Sequence, residues 1–236
     1  MVNDRIIIPL DVDGFDPALD LVERLGPDAT FYKVGLELFT ACGPRVVEAL
    51  REREKEVFLD LKLHDIPNTV AGAVRRAAEL DVRFLTVHGT GGARMVEAAV
   101  DAAGGRVTIL AVTILTSLDE TEISQIWDRP VPSVETEVVR VARMALEAGA
   151  GGIVCSPWEA QAVSAQRGLE AEVVTPGVRF AGEAADDQRR VATPAQAIGF
   201  GATRLVMGRP ITRAADPVAA FRRAVVEVDG ALVGAP

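Results

Sequence analysis

Val57-Phe58-Leu59-Asp60-Leu61-Lys62-Leu63-His64-Asp65-Ile66-Pro67-Asn68-Thr69-Val70 is the stretch whose reading decides the fold. It opens as a mostly apolar run, Val57–Leu63, and passes into a helical pattern over Thr69–Leu80. Near-continuous apolar runs are the mark of parallel strands covered on both faces. The same unit recurs on either side. Strand-like runs lie at Arg5–Val12, Phe31–Gly35, Phe84–Gly89, Val107–Leu115, Gly152–Ser156, Glu172–Val178 and Arg204–Ile211, which makes eight. Helical patterns fill the intervals, among them Arg45–Glu54, Ala93–Ala102, Val134–Glu147, Trp158–Gln166 and Pro217–Val228. Asp16-Pro17, Thr193-Pro194 and Asp216-Pro217 each offer an N-cap side chain followed by a proline at the first helical position, and Gly43-Pro44 and Ser156-Pro157 follow the same logic. Eight strand–helix repeats predict an α/β fold, a (β/α)₈ barrel, with a doubly wound open sheet as the alternative that periodicity leaves open. Strand starts fall 20–32 residues apart except for a gap of 45 between Val107 and Gly152, where Ser117–Ser133 is an extra segment. No linker or low-complexity tract interrupts the pattern, so residues 1–236 are expected to form one barrel domain.

Composition narrows the function classes. A chain of 236 residues that is 49% hydrophobic has too much apolar mass to remain disordered. Two cysteines are too few for a disulfide scaffold, and Cys42 and Cys155 suit a reduced compartment. A net charge of −9 argues against a nucleic-acid or anionic-membrane partner. No apolar run approaches the ~20 residues of a membrane span. The N-terminal MVNDRIIIPLDVDGF has no signal-peptide pattern. The expectation is a soluble cytoplasmic protein.

Barrels carry their chemistry at the C-terminal ends of the strands. Three consecutive strand ends bear charges: Asp11 on the first, Lys33 on the second, and Asp60 and Lys62 on the third, with Asp65 just beyond. Strict alternation turns Asp60 and Lys62 inward with Phe58, and Leu59, Leu61 and Leu63 toward the helices. An unpaired charge in a partly dry pocket costs several kcal/mol, so three carboxylates and two ammoniums are expected to offset one another there. A single such pair would be equally at home as a structural rim pair; five charges at adjacent ends point to a site. The last strand brings Gly208 and Arg209, where close backbone approach and a guanidinium fork suit a phosphate, and Arg179 ends the strand before it. Phe180–Gln188, with Gly182, follows as a candidate lid. His64 and His88, the only histidines, lack metal-ligand spacing. Gly89–Gly92 fails the dinucleotide fingerprint, no nucleophile elbow is present, and Trp127 and Trp158 read as packing residues.

These residues resemble a known family. D-L-K-L-H-D-I-P-N-T-V at Asp60–Val70 is similar to the signature of the bacterial orotidine 5′-phosphate decarboxylases. The resemblance runs through L-D-V at Leu10–Val12, Y-K-V-G at Tyr32–Gly35, T-V-H-G at Thr86–Gly89 and L-T-S at Leu115–Ser117, then T-P-G-V-R at Thr175–Arg179, D-D-Q-R-R at Asp186–Arg190 and M-G-R-P-I-T at Met207–Thr212. It implies conversion of orotidine 5′-phosphate to UMP and CO₂, with no metal or cofactor, by a homodimer of barrels. By the same resemblance Lys62 stabilises and protonates the C6 carbanion, and Asp60 sits against the departing carboxylate. Lys33 bridges the carboxylates and holds the ribose with Asp11. Asp65 and Thr69 reach into the partner's site, Thr116 bonds the pyrimidine edge, Gln188 joins the base-side loop to the phosphate, and Gly208, Arg209 and Arg179 hold the phosphate. The D-x-K-x-x-D core is shared with Mg²⁺-dependent sugar-phosphate enzymes of the same suprafamily, which are the alternative. A binding-only protein would carry a defective charge array, and here every member is present.

Overall fold

A computed structural model describes residues 2–166, 171–182 and 191–233. Eight parallel strands close into a barrel in sequence order: β1 (Ile6–Pro9), β2 (Phe31–Gly35), β3 (Glu56–Leu63), β4 (Phe84–His88), β5 (Thr108–Val112), β6 (Gly152–Val154), β7 (Glu172–Thr175) and β8 (Arg204–Val206). β1 pairs with β8, which removes the sheet edges and the open-sheet alternative with them. Among the described residues no helix is long and apolar enough to cross a membrane.

The period-2 pattern sorts side chains into two cores. Outward residues such as Ile8, Tyr32, Val34, Leu59 and Leu85 pack beneath the surrounding helices. Inward, every strand contributes to one plug: Ile7, Phe31, Phe58, Phe84, Leu110, Val174 and Val206, with Val154 packed against them. Phe84 meets Phe31 at 5.4 Å and Phe58 edge-on at 6.0 Å between ring centroids. The Arg83 guanidinium lies 5.4 Å from both the Phe31 and the Phe84 rings, one residue before the plug at the N-terminal end of β4. The apolar plug therefore fills the barrel between its N-terminal end, where Glu172 pairs with Arg204 at 2.8 Å, and its polar C-terminal mouth.

Several boundaries correct the sequence reading. The first strand ends at Pro9, so Asp11 stands two residues past it on the loop. The eighth strand ends at Val206, and Arg209–Thr212 is a short helix, because Pro210 sits at a first-turn position where its missing N–H is harmless. The helix expected to start at Asp16-Pro17 already begins at Phe15, with Gly14 as an uncapped N-cap. Ser156-Pro157 starts no helix directly; Ala160–Ser164 begins later, and the Ser156 hydroxyl donates to Glu159 instead. Trp158 is over half exposed rather than a core residue, its ring 5.7 Å from Phe200. Thr193 caps Pro194–Gly199 with a reciprocal Gln196 bond, and Asp216 accepts the Ala219 N–H, as their sequences predict. The extra segment holds a helix, Glu120–Trp127, closed by an Asp119/Glu122 capping box. Leu36–Cys42 is a helix that the sequence reading left out.

Gly152 lets β6 fit between its neighbours. A Cβ there would lie 2.6 Å from the Glu172 carbonyl oxygen and 2.8 Å from Leu110 Cδ2. Gly152→Val is expected to destabilise by roughly 3 kcal/mol, the upper end for overpacking, and to lower Tm by roughly 6–12 °C. Gly199→Ala, where an added Cβ meets nothing within 4 Å, is the control. Equal melting temperatures for Gly152→Val and the parent chain would refute the close-approach argument.

Candidate active site

A cavity of about 500 Å³ opens at the C-terminal mouth of the barrel. Its position follows from the strand period. Two residues beyond five of the eight plug residues stand Pro9, Lys33, Asp60, Pro176 and Gly208, and all of these line the cavity. Asp11, Lys62, Thr116, Arg179 and Arg209 complete the set of predicted residues at its wall.

Four charges form a chain across the floor. Lys33 Nζ lies 3.3 Å from Asp11 Oδ1 and 3.7 Å from Asp60 Oδ2. Lys62 Nζ donates to both carboxylate oxygens of Asp60 at 2.8 Å. Asp60 is only 8% exposed. Burial alone would raise its pKa, but the cations of Lys33 and Lys62 and the hydrogen bonds from Lys62 and Thr86 outweigh it and hold the carboxyl below its ordinary range. Asp60 is therefore ionised at neutral pH.

Strict alternation fails at one point. Leu59 pairs with Leu85 and Leu63 with Val87, so β3 uses two more residues than β4 over the same ladder. The surplus is taken up by a bulge in which Lys62 adopts φ 48°, a left-handed conformation that costs a non-glycine residue on the order of 1–3 kcal/mol. Asp60 and Lys62 still share the mouth, through a bend rather than a straight strand. The Lys62 N–H, displaced from the ladder, donates to Thr86 Oγ1 at 2.9 Å, and the Thr86 hydroxyl donates to Asp60 Oδ1 at 2.9 Å.

Asp65 does not join this array within one chain, which corrects the expected five-member array to four. It is exposed, and its Oδ1 accepts the N–H of Ile66 at 2.7 Å. Thr69 is exposed in the first turn of Pro67–Ala78, also outside the cavity wall. Gln188, and the candidate lid beyond Gly182, lie outside the described residues.

On the opposite side of the mouth, Gly208 approaches β1 closely, since a Cβ there would stand 3.0 Å from Pro9 Cγ. Arg209 follows it, and Arg179 is 7% exposed with Nη1 donating to the Val178 carbonyl at 3.0 Å. Arg213 adds a third guanidinium at the cavity wall. Its i+4 spacing from Arg209 becomes visible only once residues 209–212 are read as helix. Thr86 is the other residue that the sequence reading missed as a site member, although it stands two past Phe84 on an inward position. His64 and His88 place their ring centroids 5.1 Å apart, and burial, His64 and Lys62 together lower the His88 pKa. Among the described residues no group of three His, Cys, Asp or Glu is placed to hold a metal ion.

A closed (β/α)₈ barrel with an acid–ammonium chain and a glycine–arginine rim at its C-terminal mouth has the make-up of a barrel enzyme for a phosphorylated substrate. The chain belongs to the orotidine 5′-phosphate decarboxylase / HUMPS family, whose model matches residues 4–224. It is 52% identical over 220 residues to orotidine 5′-phosphate decarboxylase of Anaeromyxobacter sp. (strain K), covering 93% of this chain and 96% of that protein. It is 50% identical over 224 residues to the enzyme of that name from Thermobifida fusca, covering 94% and 95%. The fold is similar to the crystal structure of orotidine 5′-phosphate decarboxylase from Lactobacillus acidophilus, with TM-score 0.85, 35% identity and coverage of 96% and 99%.

Proposed function

We propose that this protein decarboxylates orotidine 5′-phosphate to UMP and CO₂, the last step of de novo UMP synthesis, without metal or cofactor. The observation that carries the reading is the two-oxygen contact of Lys62 with the buried Asp60, in a cavity whose far wall offers Gly208 and three guanidiniums.

The C6–carboxylate bond breaks, its electron pair stays on C6, and CO₂ departs. Lys62 is the fixed cation beside that pair, already in place and needing no reorganisation as charge develops. Its Nζ then delivers a proton to C6, and the neutral amine recovers one from solvent. Asp60 keeps Lys62 charged and faces the leaving carboxylate. Lys33, between Asp11 and Asp60, neutralises both and with Asp11 binds the ribose. Thr116 and Gln188 hold the pyrimidine side. Gly208, Arg209 and Arg179 bind the phosphate, whose binding energy orients the ring at a distance from the reacting bond. Asp65 and Thr69, turned away from their own cavity, serve the partner's site in a homodimer. The whole chain works as one catalytic barrel in the cytoplasm, a compartment that suits its free cysteines.

Purified protein mixed with orotidine 5′-phosphate, with and without EDTA, is expected to bleach the substrate's ultraviolet absorbance at equal rates in both arms. No bleaching by folded protein would reject the activity. Bleaching abolished by EDTA and restored by Mg²⁺ would overturn the metal-free mechanism and favour the sugar-phosphate branch's chemistry.

A further inference from the structure

We propose that Thr86 is a positioning residue for this reaction, its single hydroxyl locking the bend at Lys62 to the carboxylate of Asp60. The inference rests on the decarboxylase reading. Thr86 is fully buried. Its Oγ1 accepts from the Lys62 backbone N–H at 2.9 Å, so its one proton is committed to Asp60 Oδ1, also at 2.9 Å. The two bonds are mutually dependent. A carboxylate oxygen accepts that proton more strongly than a neutral carboxyl does, so the arrangement favours ionised Asp60. The same atom replaces the ladder acceptor that the Lys62 N–H lost at the bulge, holding a left-handed backbone that the side chain alone does not favour. One hydroxyl thus sets where the ammonium points and keeps its counter-ion charged.

The other groups that bear on Asp60 are Lys33 from β2 and Lys62 from β3, with Asp11 beside Lys33 and His88 further along β4. Thr86→Val changes none of these charges. It keeps the shape and removes the hydroxyl, leaving the Lys62 N–H and one Asp60 lone pair unsatisfied. Expected for Thr86→Val is a kcat lower by about 10–100-fold, with KM changed by less than about threefold because the phosphate grip lies across the cavity. The acid limb of kcat/KM moves to higher pH, as Asp60 loses a donor that favours its ionised form. Thr86→Ser restores most of the rate and returns the limb. A carbon-13 titration of the Asp60 carboxyl, assigned with Asp60→Asn, gives the same shift without any turnover. That readout separates this inference from the activity, which parent-chain turnover tests on its own. Should Thr86→Val fail to fold, Thr86→Ala removes the hydroxyl while adding no atoms and carries the same test. A hydroxyl-free variant with kcat within threefold of the parent and an unmoved Asp60 titration would overturn the proposal. So would Thr86→Ser as impaired as Thr86→Val, which would assign Thr86 to packing.

Discussion

Replacing Lys62 by alanine is expected to lower kcat for orotidine 5′-phosphate by about 10⁴–10⁷-fold while the barrel stays folded. Two separable roles multiply in Lys62: a general acid contributes about 10²–10⁴-fold, and a preorganised electrostatic group about 10²–10³-fold. The fold survives because Lys62 belongs to neither hydrophobic cluster, and Asp60 keeps Lys33 at 3.7 Å and the Thr86 hydroxyl. Lys62→Arg divides the roles. It restores a cation but not a usable proton, since a guanidinium does not deprotonate in this range, so it should recover only a small part of the rate. Steady-state ultraviolet assays on the parent and both variants, with circular dichroism as the folding control, decide the matter. Lys62→Ala turning over within a hundredfold of the parent would remove Lys62 from the chemistry.

The second large effect belongs to the opposite wall. Arg209→Ala is expected to lower kcat/KM by about 10²–10³-fold, the loss of a two-pronged charge-assisted contact with phosphate worth about 3–4 kcal/mol. The comparison that isolates the contact is the same variant against orotidine, which lacks the phosphate. The slow reaction of that substrate should be the same for Arg209→Ala and the parent, because the substrate then brings no phosphate to the guanidinium. An equal loss with both substrates would mean that Arg209 acts by holding the structure. The buried residues of the helix Arg209–Thr212 are Pro210 and Ile211, and Arg209→Ala leaves both in place, so a purely structural loss is not expected.

The period of the apolar runs determined eight strand–helix units, and that signal is local; closure into a barrel rather than an open sheet was decided by the pairing of β1 with β8. A strand covered on both faces must read as continuous apolar sequence, and eight such runs separated by helical patterns leave few ways to close a parallel sheet. Asp60, Lys62, Lys33, Gly208 and Arg209 were legible for the same reason: each lies two or more residues beyond the apolar plug residue of its strand, toward the end where a barrel opens to solvent. What the sequence could not determine is what depends on register between strands. Thr86 looks like one more polar residue in T-V-H-G until β3 and β4 are paired. Only then do the two surplus residues of β3, the left-handed Lys62 and the shared hydroxyl appear together. Asp65 shows the converse. Its place in the motif suggests an array member, yet its side chain turns back onto the N–H of Ile66, away from its own cavity. Residue type and spacing specify which strand a side chain comes from; the closure of the barrel, through hydrogen bonds between residues far apart in the chain, decides which atoms meet.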